Sequence, residues 1–361
     1  MFNLTDEVKY RVDLDKLDDA LSAATFLADK FIETGRYIVD ETWGPEGLLY
    51  LAESSYALFS AYEITKDKYY LSAVKSILNE LRDIQKPSGG WALEIGKHGN
   101  GVGFRITDEI RRITAEIEDL PPTVAMLKTI SDYHKLSGDD SYLDMGKKAF
   151  SYLMKHWDAN YGSFLEKENN ELMALRSNPR SYHLFSLIGI HAWQDHATEQ
   201  IDDILPIILE FVKDTFEGYD AETMPLVYGL HAAILMQHCT PEYTANVIKP
   251  RIDRDLIYNE TFRIQNLQGA FGHRDGLRGI VTNEAHIRSA VGVVIAMKFY
   301  DLKTNTRTYR DTEIYQQISE WIQSMRGDGF YYEFELLDEH KKLGYGSPGQ
   351  YLPIWWVLGR I

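Results

Sequence analysis

Apolar residues recur at three- and four-residue spacing through most of the chain, the period of helices that bury at least one face. Segments bounded by Gly, Pro or polar clusters predict twelve helices, over 16–37, 47–64, 67–85, 119–136, 139–156, 179–196, 199–216, 222–238, 241–256, 282–301, 308–325 and 348–359. They are of two kinds. Thr223 to Met236 and Ser289 to Met297 are apolar nearly all round, as helices buried on every side must be, whereas Lys68 to Leu81 and Asp140 to Leu153 carry Lys, Asp and Ser along one face. One set therefore reads as an inner layer and the other as an outer layer.

The connections sharpen this. Thr65-Lys66-Asp67, Ser137-Gly138-Asp139, Ala197-Thr198 and Cys239-Thr240-Pro241 are tight turns, most with a helix-capping residue, so the helices they join should be antiparallel neighbours. The alternate connections are mostly long, at 38–46, 86–118, 157–178, 257–281 and 326–347, with a shorter one at 217–221. Four of them contain a related unit: Gly89-Gly90-Trp91, Gly162-Ser163-Phe164, Gly269-Ala270-Phe271 and Gly329-Phe330-Tyr331. A glycine followed closely by an aromatic suits a sharp reversal into a short extended piece, the glycine giving backbone freedom and the ring plugging the gap between layers. Its recurrence is an internal-repeat signal.

Six hairpins end in a helix, Gly349 to Leu358, as apolar as an inner one and with no outer partner after it. An open solenoid would leave that helix exposed, while a ring packs it beside the first. The expected fold class is therefore all-α: an α/α toroid of six helical hairpins in inner and outer rings, with short β-hairpins in the long loops, as one domain over 1–361. The long loops feed the N-termini of the inner helices and gather at one end, where functional residues are expected.

Composition narrows the function classes. The chain has 361 residues, 44% hydrophobic, enough for a large core, and no run near the roughly 20 apolar residues of a membrane helix. Its start is polar and acidic, unlike a secretory signal or transit peptide, which makes the cytoplasm the expected compartment. The lone Cys239 excludes an internal disulfide framework and Cys-rich metal sites. A formal charge of −16 argues against nucleic acid or an anionic membrane as partner. The sequence does not speak to oligomeric state.

Two stretches resemble the six-hairpin glycosidase superfamily. Trp43-Gly44-Pro45-Glu46-Gly47 leads into Ala57 to Leu71, and Asp119-Leu120-Pro121-Pro122-Thr123 leads into Leu136 to Leu143. The order of inner helix, Thr/Ser-x-Asp turn and Tyr-Leu opening the outer helix is similar to that of unsaturated glucuronyl hydrolases and related toroid enzymes. The resemblance implies a general acid/base Asp near the start of an early inner helix, the place held by Asp119, although the residues around it differ from the family motif. The hairpin pattern is also shared by lyases, sugar epimerases and isoprenoid cyclases, so it points to a fold before an activity.

The densest cluster of chemistry is Phe271-Gly272-His273-Arg274-Asp275-Gly276 followed by Asn283-Glu284-Ala285-His286-Ile287-Arg288, at the start of an inner helix. Glu284 and Arg288, four apart, are expected to share a helix face and could simply pair there. Functionally, a carboxylate and an imidazole would transfer protons beside a guanidinium that holds an anion. Arg176, Arg180 and His183 lie around the start of another inner helix, and Tyr228 and His231 on a third. The candidate catalytic residues are thus Asp119, Glu284, His286, His183 and Tyr228. Trp43, Trp91, Arg180, His231, His273, Arg274, Arg288, Tyr332 and Tyr345 are candidates for binding substrate, although aromatics in long loops more often pack beneath them. Glu94, Glu166 and Glu333 fit solvent-facing repeat positions, with no pair among them assignable as acid and base. Neither His-x-His nor His-Glu-x-x-His occurs, so no metal is expected, and no cofactor.

The function these residues suggest is a hydrolase or lyase acting on an acidic, uronate-containing oligosaccharide, with a sugar epimerase using His183 and His286 as base and acid fitting nearly as well. An isoprenoid cyclase is the alternative from another class, although neither Asp-x-Asp-Asp nor Asp-Asp-x-x-Asp occurs. A non-catalytic, ligand-binding toroid is the third reading.

Overall fold

A computed structural model describes residues 10–37, 48–92, 118–160, 162–164, 183–218, 225–258, 263–264, 267–275, 279–281, 283–339, 341–344 and 346–361. Its twelve helical runs follow the sequence periodicity: α1 Leu17–Thr34, α2 Leu48–Thr65, α3 Lys68–Ile84, α4 Leu120–Ser137, α5 Leu143–Lys155, α6 His183–Trp193, α7 Thr198–Gly218, α8 Pro225–His238, α9 over 241–258 with a π turn at Thr244–Ile248, α10 Ile287–Thr304, α11 Glu313–Ser324 and α12 Ser347–Leu358. None is long and apolar enough to cross a membrane.

The two kinds of helix alternate along the chain. α10 is buried on every face from Ser289 to Asp301, and α12 from Ser347 to Leu358. α3, α5 and α11 instead bury a single stripe, such as Tyr70, Leu71, Val74, Ile77, Leu78 and Leu81 of α3. The short turns are built as their residues require. Asp67 accepts a hydrogen bond from Tyr69 N (2.9 Å) to cap α3, and Thr240 Oγ1 accepts from Tyr243 N (3.2 Å) to cap α9.

The chain divides into two compact units, one of Ala28–Tyr62 and Asp67–Glu217, the other of Met1–Leu27, Glu63–Lys66 and Gly218–Ile361. In the first, all-round buried helices pack directly on one another: Tyr56 of α2 donates to Ala125 O of α4 (2.6 Å), and Ser131 of α4 donates to Ala192 O of α6 (2.6 Å). In the second, α8 and α10 approach so closely that a Cβ on Gly229 would collide with the carbonyl of Gly292. Only a glycine admits that contact.

Three of the Gly–aromatic units, at Gly89, Gly162 and Gly329, follow the amphipathic helices α3, α5 and α11, while Gly269 lies within a short strand. Gly89, Gly162 and Gly329 have φ of +103°, +75° and +79°, which side-chain-bearing residues adopt at a cost. The rings that follow, Trp91, Phe164, Phe271 and Tyr331, are all buried. The extended pieces are β1 (Trp91–Ala92) with β2 (Glu118–Asp119), β3 (Trp157–Asp158) with β4 (Ser163–Phe164), β5 (Arg263–Ile264) with β6 (Leu267–Phe271), and β7 (His273–Asp275) with β8 (Gly279–Val281). A three-stranded sheet joins β9 (Glu284–His286), β10 (Phe334–Leu336) and β11 (Lys341–Leu343).

That sheet corrects one expectation. The helix expected from 282 begins only at Ile287, because Glu284 to His286 pair antiparallel with β10. Ile287 N donates to Glu333 O (2.9 Å), which settles the first turn of α10 against the strand. Glu284 therefore lies outside the helix, and the four-residue face it was to share with Arg288 does not exist.

Candidate functional site

The head of α10 brings together Glu284, His286, Arg288 and Glu333. In β9 successive residues point to opposite sides, so Glu284 and His286 share one face while Ala285, fully buried, takes the other. Each of the two side chains keeps 13% of its surface exposed, and His286 Nε2 lies 3.5 Å from Glu284 Oε2. Phe334 stands opposite His286 across the ladder, and the two rings stack with centroids 5.4 Å apart and planes 13° from parallel. One face of the imidazole is covered while its carboxylate neighbour stays within reach of solvent.

Two residues after His286, Arg288 forms an ion pair with Glu333. Glu333 is buried at 6% exposure, so its expected solvent-facing position is corrected. Its backbone N–H donates to Leu343 O (3.0 Å) and Gly344 O (3.0 Å), and its carboxylate fills space that a Cβ on Gly346 would occupy. Burial of an ionised carboxyl requires such a partner, and Arg288 supplies it. Two residues earlier in the chain, burial pushes the Tyr331 hydroxyl above its ordinary range, with Asp19 adding to the shift, so that group stays neutral.

Other candidates are distributed differently. Trp91 is fully buried, and its indole N–H donates to Leu81 O (2.8 Å) while its backbone N–H donates to Thr123 Oγ1 (3.1 Å). The ring is a plug and offers no face for a sugar to stack on, which corrects its assignment to substrate binding. His231 is fully buried in α8. Tyr332 is half-buried beside Phe330, their rings edge to face at 5.0 Å. Trp43, Arg180 and Tyr345 lie outside the described residues, and so do the side chains of Asp119, His183, Tyr228, His273 and Arg274. The backbone places Asp119 in β2, paired with Trp91, places His183 at the start of α6 and Tyr228 in α8, and puts His273 and Arg274 in β7. Among the described residues, no cluster of three or more His, Cys, Asp or Glu has the geometry to hold a metal.

Sequence reading missed Glu333 and Phe334 as parts of this cluster. No local pattern links them to Arg288 and His286, because they come from the chain's last hairpin, and only strand pairing brings the two segments together.

No protein-family model matches the chain, and no curated protein does either. Solved structures do. Cellobiose 2-epimerase from Bacillus thermoamylovorans B4167 superposes with a TM-score of 0.64 at 12% identity, over 89% of this chain and 88% of that one. D-mannose isomerase gives 0.63 at 10% identity over 99% of both chains. A family 76 glycoside hydrolase from a bovine Bacteroides thetaiotaomicron strain gives 0.53 at 8% identity, over 94% and 77%. These likenesses show the fold, an α/α toroid. In toroid terms, the all-round buried α2, α4, α6, α8, α10 and α12 are the inner helices, and the amphipathic set is the outer one. The Glu284–His286 pair thus stands at the N-terminal end of an inner helix.

Proposed function

We propose that this toroid is a carbohydrate-active enzyme that moves a proton beside a sugar carbonyl, epimerising or isomerising an aldose, with His286 as acid–base group and Glu284 as its carboxylate partner. The observation that carries the reading is the pair itself: an imidazole and a carboxylate 3.5 Å apart, part-exposed, at the head of an inner helix. In such a reaction the base takes the proton from C2, which the carbonyl acidifies, leaving an enediolate. Return of a proton from solvent to the other face of C2 gives the epimer, while protonation of C1 by the His286 imidazolium, with the O2 proton passing to O1, gives the ketose. Positioned general acid–base groups supply about 10²- to 10⁴-fold of such a rate.

The likenesses to the epimerase and the isomerase run along nearly the whole chain, with higher TM-scores than the likeness to the glycoside hydrolase. Likeness of fold alone does not choose among these chemistries, and the site must. Glycoside hydrolysis usually employs two carboxylates about 5 to 10 Å apart. At the head of α10 the second carboxylate, Glu333, is already engaged by Arg288. That pairing also weakens the case for Arg288 as the anchor of a uronate.

The test is to incubate the protein with a panel of reducing mono- and disaccharides in D2O. The expected products are epimers or ketoses carrying deuterium, with the rate lost in His286→Gln. Release of hydrolysed or unsaturated sugars without deuterium incorporation would overturn the reading in favour of a hydrolase or lyase.

A further inference from the structure

We propose that Phe334 is the positioning residue for His286, holding the imidazole plane against Glu284; this rests on the proton-transfer reading above. A strand side chain such as His286 turns about two side-chain torsions, and proton transfer tolerates only about 0.5 Å and 10–20° of error in the acting group. Something must remove that freedom. Phe334 lies directly opposite in the ladder and presents a nearly parallel ring at 5.4 Å, so rotation of the imidazole about its second torsion drives it into the phenyl face.

The phenyl ring is itself held. Phe334 is buried at 6% exposure and pairs on its other side with Leu343 of β11. The residue before it is anchored twice, through Glu333 O accepting from Ile287 N (2.9 Å) and through the ion pair of Glu333 with Arg288. Farther back, Gln350 of α12, fully buried, accepts from Tyr331 N (2.9 Å) and donates to Tyr331 O (2.8 Å). The last hairpin is thereby fastened to an inner helix on one side and to the head of α10 on the other. Its ring acts on His286 and has no need to touch the substrate.

Phe334→Leu keeps an apolar strand residue but loses the aromatic face, and Phe334→Tyr restores it. In protein labelled at histidine, the His286 ring resonance, assigned through His286→Gln, reports the stack directly through the ring current of Phe334. The expected result is that Phe334→Leu shifts this resonance and alters its pH profile. In the same variant kcat should drop about 10-fold or more with KM little changed, since a misplacement near 1 Å costs about 10²-fold. Phe334→Tyr should return the resonance and most of kcat. An unchanged resonance in Phe334→Leu, or a shifted one with full kcat, overturns the proposal. If no sugar is turned over by the parent protein, the proton-transfer reading fails by itself, and the resonance still decides whether Phe334 sets the ring.

Discussion

Lys298 of α10, fully buried, places its ammonium 3.1 Å from Asp13 Oδ2 and donates to Trp356 O (2.6 Å) and Val357 O (2.9 Å) at the end of α12. This side chain ties Asp13, ahead of α1, to α12, where Asp13 N adds a hydrogen bond to Val357 O (3.0 Å) and Arg11 donates to Leu358 O (2.8 Å). An ammonium at the C-terminal end of a helix also meets the negative end of its dipole.

Burial lowers the Lys298 pKa to about 8 from its ordinary 10.5, with Asp13 opposing the shift. Between these values the folded protein sheds a proton that the unfolded chain keeps, so this group makes stability rise with pH across that window. Below it the buried ammonium is a net cost. Asp13→Asn should therefore lose about 3 kcal/mol near neutral pH by stripping the charge of its partner, and adding Lys298→Met should recover most of the loss. Urea midpoints of the parent, single and double variants across the window check both sign and size. A parent protein that loses stability from this group as pH rises contradicts the assignment.

Arg288→Ala should destabilise the fold by about 2 kcal/mol, because it leaves the Glu333 carboxylate buried without its guanidinium. Glu333→Gln should cost less, and the two together less than their sum. A double-mutant cycle on denaturant unfolding measures the coupling, and strict additivity would mean that the pair contributes nothing.

Two glycines separate crowding from backbone strain. Gly229→Ala pushes a methyl into the Gly292 carbonyl between α8 and α10 and should cost at least about 3 kcal/mol. Gly138 has φ of +73° in open space, so Gly138→Ala should cost about 1 kcal/mol through its left-handed backbone alone. Thermal unfolding of the two variants should differ in that order.

Trp91→Phe removes the indole hydrogen bond to Leu81 O and leaves a cavity where half of the bicyclic ring stood, and should cost about 2 to 4 kcal/mol. Sugar binding should be unaffected, as measured by calorimetry. A selective loss of affinity at unchanged stability would return Trp91 to the list of substrate contacts.

The sequence alone determined the twelve helices, their alternation of buried and amphipathic kinds, and the Gly–aromatic reversals between them. All of these are local: a period of 3.6 residues, a capping Asp67 or Thr240, and a glycine at positive φ are written within a few residues of where they act. It also picked out the segment holding Glu284, His286 and Arg288, because ionisable groups at the head of an otherwise apolar helix are conspicuous. What only the tertiary structure decided is who meets whom there. Helical spacing paired Glu284 with Arg288, but the strand β10, arriving from the far end of the chain, unwound that first turn into β9 and set Glu284 beside His286. The same strand brought Glu333 to Arg288 and Phe334 to His286. Strand register and ion pairing between distant segments depend on how the whole chain packs, and no short-range pattern encodes them.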